Sequence, residues 1–144
     1  MNYHSALRQY QNVGVKSSVT EADPHTLVRM LFDGALERLS IARGAMERGD
    51  AARKGEAISR AVAIIDTLRV SLDLDAGEEL AANLQALYEY MTSRLVEANR
   101  SGRTELLLEV ADLIRELREA WVAIPETYRT PAQGGLAPLV QGRA

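Results

Sequence analysis

All four prolines of the chain lie outside residues 25–124: Pro24 stands at the front edge of that stretch, Pro125 closes it, and Pro131 and Pro138 follow. Proline locks φ and lacks an N–H, so it suits a first helical turn or a position just past a last one and damages anything between. A stretch bracketed in this way predicts one continuous helical core. Function is then to be sought on helix faces and in two tails.

Composition narrows the class. With 144 residues the chain fits one domain, large enough to bury a core without metal or disulfide support. A hydrophobic content of 47% with only 5% aromatic residues fits helix-on-helix packing, and one Trp with one Phe cannot fill a β-sandwich. The absence of cysteine excludes a disulfide framework and a thiolate metal site, and suits a reducing cytoplasm. No signal-like start and no apolar run approaching about 18 residues is present, which predicts a soluble, unprocessed intracellular protein without membrane insertion. A net charge of −3 with intermixed signs gives no electrostatic reason to expect nucleic acid.

Inside the bracket, Gly49, Gly77 and Gly102 divide the pattern into four helices. The first is expected from the N-cap Asp23 and Pro24 to about Arg48, with Gly49 in the left-handed conformation. Asp50 restarts the chain, and the second helix runs to about Leu74. The third spans about Glu78 to Asn99, its acidic first turn matching the positive end of the dipole. The fourth begins at Thr104 as N-cap and reaches Ile124. At 1.5 Å per residue these helices are about 30–36 Å long, the matched lengths of an all-α, antiparallel up-down four-helix bundle.

Each segment carries one apolar stripe at helical spacing. The first holds Leu27, Val28, Leu31, Phe32, Ala35, Leu39, Ala42 and Met46; the second Ile58, Ala61, Val62, Ile65, Leu68 and Leu72. The third holds Leu80, Leu84, Leu87, Met91, Leu95 and Ala98; the fourth Leu106, Val110, Leu113, Leu117, Trp121 and Ile124. Four such stripes close one core. Met30, Leu36, Ile41, Ile64, Tyr90, Val96, Leu108 and Val122 fall on other faces. Single exposed apolar residues are ordinary, but as a set they are expected to form grooves that accept another helix.

The organisation expected is a cap segment over 1–22, the bundle over 23–124 and a flexible tail over 125–144. The cap segment, helical or extended, places Tyr3, Leu7 and Tyr10 at i, i+4 and i+7. It reads either as a short helix docked on the bundle or as a mobile cover for a partner site. The last segment, rich in Gly and Pro, has the composition of a flexible end.

The sequence offers little for catalysis. His4 and His25 have no Glu or His at metal-binding helical spacing, and Asp73 to Glu79 lacks the third acidic position and the terminal bidentate Glu of a calcium loop. No phosphate cradle or cofactor motif is present. One enzymatic alternative is a small all-helical enzyme of chorismate-mutase type, holding a dianion through Arg38, Arg60, Arg69 and Arg118. Those arginines read better as solvated-face partners of Glu and Asp. A helical adaptor for another client, or a bundle whose spare surface makes a dimer, also stays open.

Four runs in order carry a resemblance. They are Asp23-Pro24-His25-Thr26-Leu27-Val28-Arg29-Met30-Leu31-Phe32-Asp33-Gly34-Ala35-Leu36, with Phe32 where a tyrosine is common; Ala61 to Leu74, ending Ser71-Leu72-Asp73; the set Leu80-Ala81-Ala82-Asn83-Leu84, Leu87-Tyr88, Tyr90-Met91, Leu95 and Ala98-Asn99; and Leu117-Arg118-Glu119-Ala120-Trp121 with Ile124. Over residues 3–124 the chain resembles the flagellar secretion chaperone family, FliS.

The resemblance implies a cytoplasmic, non-enzymatic protein. Its partner would be the disordered C-terminal segment of flagellin, which folds into helices in apolar surface grooves and is thereby kept from polymerising. It also implies delivery to a component of the flagellar type III export gate. The expected partner-binding residues are Leu7, Tyr10, Met30, Ile64, Tyr90, Leu108 and Val122, with Tyr3 as a further cap anchor. Tyr88 and Trp121 are expected in the core, with groove contact left open.

Overall fold

The computed structural model describes residues 23–72 and 77–128. Local chemistry sets the helix ends. In α1 (Pro24–Arg48), the Asp23 side chain accepts the Thr26 N–H at 2.7 Å and Pro24 occupies the first turn, where its missing N–H costs nothing. At the far end Gly49 adopts φ 71°, its N–H donating to the Met46 carbonyl at 3.2 Å while Asp50 N–H reaches Ala45 at 2.9 Å. Asp50 then caps α2 (Ala51–Val70) by accepting the Arg53 N–H at 3.1 Å.

Three boundaries differ from the sequence expectation. α2 stops at Val70 rather than near Leu74, because Ser71 turns its hydroxyl back onto the Thr67 carbonyl at 2.8 Å and Leu72 N–H bonds Arg69, a tightened last turn. α3 (Glu78–Ser101) runs two residues past Asn99: Ser101 bonds the Glu97 carbonyl at 2.8 Å and stays helical, so the break falls on Gly102 at φ 73°. α4 (Thr104–Val122) is capped by Arg103 rather than Thr104, whose hydroxyl instead contacts Met46 Sδ at 3.7 Å. Ala123 and Ile124 tighten its end, and a 3₁₀ turn, Glu126–Tyr128, follows Pro125.

Pairing across the bundle is antiparallel throughout. His25 at the start of α1 meets Trp121 at the end of α4, Met46 meets Thr104, Lys54 Nζ donates to the Asn99 carbonyl at 3.0 Å, and Arg94 pairs with Glu109 at 2.9 Å. Consecutive helices pack against each other and α4 returns to α1, which closes an up-down-up-down ring around one core.

The α1 stripe is buried from Leu27 to Ala42 as expected, with Met46 partly buried. In α3 the buried line is Ala81, Tyr88, Met91, Leu95 and Ala98. Leu80, expected inside, is 40% exposed, and Leu84 and Leu87 are only partly buried. One residue is a 100° rotation, so centring the stripe on Ala81 and Tyr88 turns Leu80 outward. α4 likewise buries Leu107, Ala111 and Ile114, while Leu113, Leu117 and Ile124 sit at its margin.

Ile64 is a further correction. Expected on an outer face, it is 2% exposed. Ala35, Ala42 and Ala45 on α1 and Ala57 and Ala61 on α2 are all buried; their small side chains let these two helices approach closely, and Ile64 continues the Ala57–Ala61 line at helical spacing and is buried with it. No helix among the described residues is long and apolar enough to cross a membrane.

Candidate functional site

With the core complete, the helices still carry apolar side chains outward, and these lie along three seams. On the α1–α4 seam, Leu108, Ala111, Arg115, Arg118 and Val122 follow one another at helical spacing, Leu108 and Val122 each being 40% exposed. At its centre Asp33 receives two guanidinium groups: Arg118 Nε bonds Oδ1, and Arg29 Nη1 bonds Oδ2 at 3.3 Å. One carboxylate is thus shared by two arginines at the middle of the seam.

The α3–α4 seam is closed by a polar cluster. Glu109 accepts the Tyr90 hydroxyl on Oε2 and Arg94 Nε on Oε1 at 2.9 Å, and the Arg94 guanidinium lies 5.6 Å from the centre of the Tyr90 ring. The bonds from Tyr90 and then Arg94 hold the Glu109 carboxyl below the usual carboxylate range. The same carboxylate raises the Tyr90 phenol, chiefly through the hydrogen bond it accepts. The ring of Tyr90 is thereby fixed at the surface, 41% exposed.

The third seam, between α2 and α3, is an open groove of about 440 Å³ lined by Ser59, Val62, Ala63, Asp66, Arg69, Glu89 and Thr92. Val62 and Ala63 give it an apolar floor. Val96, one helical turn beyond Thr92, continues that surface and at 59% is the most exposed large apolar side chain among the described residues.

Among the described residues the surplus apolar surface lies along seams between helices, a form that suits an apolar face of another chain. Comparison with known proteins agrees. The family model described as flagellar protein FliS matches residues 6–128. The chain belongs to the FliS family. The flagellar secretion chaperone FliSB of Pseudomonas aeruginosa is 50% identical over 119 residues, covering 83% of this chain and 94% of that protein. The flagellar secretion chaperone FliS of Salmonella typhimurium is 45% identical over 121 residues, with 83% and 90% covered, and that of Bacillus subtilis 35% over 119 residues, with 83% and 88% covered. FliS proteins are chaperones of flagellar secretion, a role that is not enzymatic.

In this FliS chain the outward residues expected to bind a partner are not gathered into one groove. Leu108 and Val122 share the α1–α4 seam, Tyr90 stands on the α3–α4 side, and Met30 is partly buried against the core. Ile64 lies in the core and offers no surface. Tyr88 and Trp121 are buried as expected, and burial pushes the Tyr88 phenol up. Tyr3, Leu7 and Tyr10 lie outside the described residues.

Three of the four arginines considered for an anion site are ion-paired, Arg60 with Glu56, Arg69 with Asp66 and Arg118 with Asp33. The α2–α3 groove is the feature that sequence reasoning missed. The apolar spacing of α2 puts Val62 in the core stripe, whereas it is partly buried and lines the groove, and only Val96 signals that surface in the sequence.

Proposed function

We propose that the chain is a cytoplasmic chaperone that binds the disordered C-terminal segment of a flagellin in its apolar seams. Covering that segment keeps flagellin from polymerising before export, and the complex is handed to a component of the flagellar export gate. The observation that carries this reading is the set Tyr90, Val96, Leu108 and Val122, large apolar side chains left at least 40% exposed on helices whose core is already filled. Membership of a secretion chaperone family supports the same reading.

The physics is coupled folding and binding in the helix-in-groove mode. Burial of apolar area drives association, while ordering of the client opposes it and keeps the complex releasable. Leu7, Tyr10 and Tyr3 serve in this scheme as anchors of a cap over the seams.

The test mixes the purified chain with a flagellin C-terminal peptide and follows helicity and the heat capacity of binding. Helix gain with a negative heat-capacity change is expected. Absence of binding at micromolar concentration, or binding without helix gain, overturns the mechanism.

A further inference from the structure

The α2–α3 groove differs from the other seams in having an open apolar floor under a rim of unequal charge. Its lining includes two carboxylates, Asp66 and Glu89, against one cation, Arg69. Arg69 sends both Nε, at 3.1 Å, and Nη2, at 2.6 Å, to the same oxygen, Asp66 Oδ1, so Oδ2 keeps its acceptor capacity. Glu89 has a neutral partner, accepting from the Gln85 amide at 3.3 Å. The groove therefore carries an uncompensated negative charge beside apolar surface.

Length also constrains the occupant. From Ser59 to Arg69 the α2 wall rises about 15 Å at 1.5 Å per residue, the span of roughly three turns of a docked helix. Val96 extends the apolar surface at the end away from Asp66.

We propose that this groove seats an amphipathic helical stretch of the client that presents a lysine or arginine to Asp66 and Glu89 and small apolar side chains to Val62, Ala63 and Val96. The proposal rests on the client-binding reading above and specifies its chemistry. A cationic turn of the client is attracted to these two carboxylates, which favours the register that sets its basic residue in this groove.

The experiment uses the full chain and a flagellin C-terminal peptide containing a basic residue. The double variant Asp66→Asn, Glu89→Gln is compared with a charge-matched control at exposed positions away from the seams' apolar residues, Glu47→Gln, Glu105→Gln. The groove variant is expected to bind about tenfold more weakly, with a shallower salt dependence, while the control stays within about twofold. A spin label on Ser59→Cys, the sole thiol in a chain that has no cysteine, is expected to broaden the resonances of the peptide's basic turn.

Equal weakening in both double variants, or broadening confined to a stretch without Lys or Arg, overturns the groove assignment while leaving the chaperone reading intact. Broadening between copies of the chain in the absence of peptide assigns the groove to self-association and overturns it as well. Failure of the unaltered chain to bind the peptide at all overturns the chaperone reading, and this inference with it.

Discussion

His25 and Trp121 each donate a ring N–H to the other's main-chain carbonyl, both at 2.8 Å, while their rings stack 5.0 Å apart and 13° from parallel. A carbonyl only accepts, so His25 carries its proton on Nε2. The pair joins the first turn of α1 to the last turn of α4, and the Trp121 carbonyl it uses is one of the terminal carbonyls that lack an i+4 amide. Trp121→Phe, which keeps most of the apolar area and loses one bond, is expected to cost about 1 kcal/mol. Trp121→Ala, which also opens a cavity beside a residue 4% exposed, is expected to cost about 3–5 kcal/mol in urea unfolding.

Leu108 and Val122 test the division between core and client surface. Both protrude from α4, so Leu108→Glu with Val122→Glu should change unfolding free energy by less than about 1 kcal/mol. The same pair should weaken flagellin-peptide binding by about tenfold or more in calorimetry, because two charges would then be buried under the client. Unchanged affinity would remove the α1–α4 seam from the binding surface.

Glu109 provides the pH dependence. Its carboxyl is held down in the folded chain by Tyr90 and Arg94, so the native state binds fewer protons than the unfolded one between the two pKa values. The stabilisation is fully present above the unfolded value of about 4.3 and is lost as pH falls through the depressed folded value. NMR titration should place Glu109 below exposed glutamates, and Arg94→Gln should return it toward them. In an alkaline absorbance titration Tyr90 should ionise later than free tyrosine, an offset that Glu109→Gln should reduce.

Two glycines should respond with opposite sign. Gly49 sits at φ 71° with open space where a Cβ would go, so Gly49→Ala meets no clash and still costs about 1 kcal/mol of backbone strain. Gly55 lies inside α2, where a Cβ would have Asn99 Oδ1 at 3.9 Å, an ordinary contact. Gly55→Ala should stabilise by about 0.5–1 kcal/mol, read as a rise in the urea midpoint without a change in slope.

Deleting residues 1–17 should leave unfolding cooperative and alter affinity for the flagellin peptide. The core residues from Leu27 to Trp121 form one cluster among the described residues. Loss of cooperative unfolding in the truncated chain would make the segment structural rather than a cap.

The local part of the fold was legible because its causes are local. Asp23, Pro24, Gly49 and Gly102 act on atoms within four residues, through a cap bond, a fixed φ or a left-handed turn, and each stands where the sequence puts it. The α1 stripe was legible for a related reason: its line of large apolar residues is wide enough that a small rotation leaves it buried. The misses at Thr104 and Ser71 are competitions between side-chain and backbone hydrogen bonds that spacing alone does not resolve.

By itself, then, the sequence determined the four helices, their order and the inward face of α1. Tertiary packing decided the rest. Whether an off-stripe residue is covered depends on how near the next helix comes, so Ile64 is buried while Leu80 and Val96 stay exposed. The joining of Arg118 to Asp33 across 85 residues, and of Asp66 and Glu89 around one groove, likewise depends on helix azimuths set by the whole core. A wheel gives the direction of each side chain; only the packed bundle puts another surface in front of it.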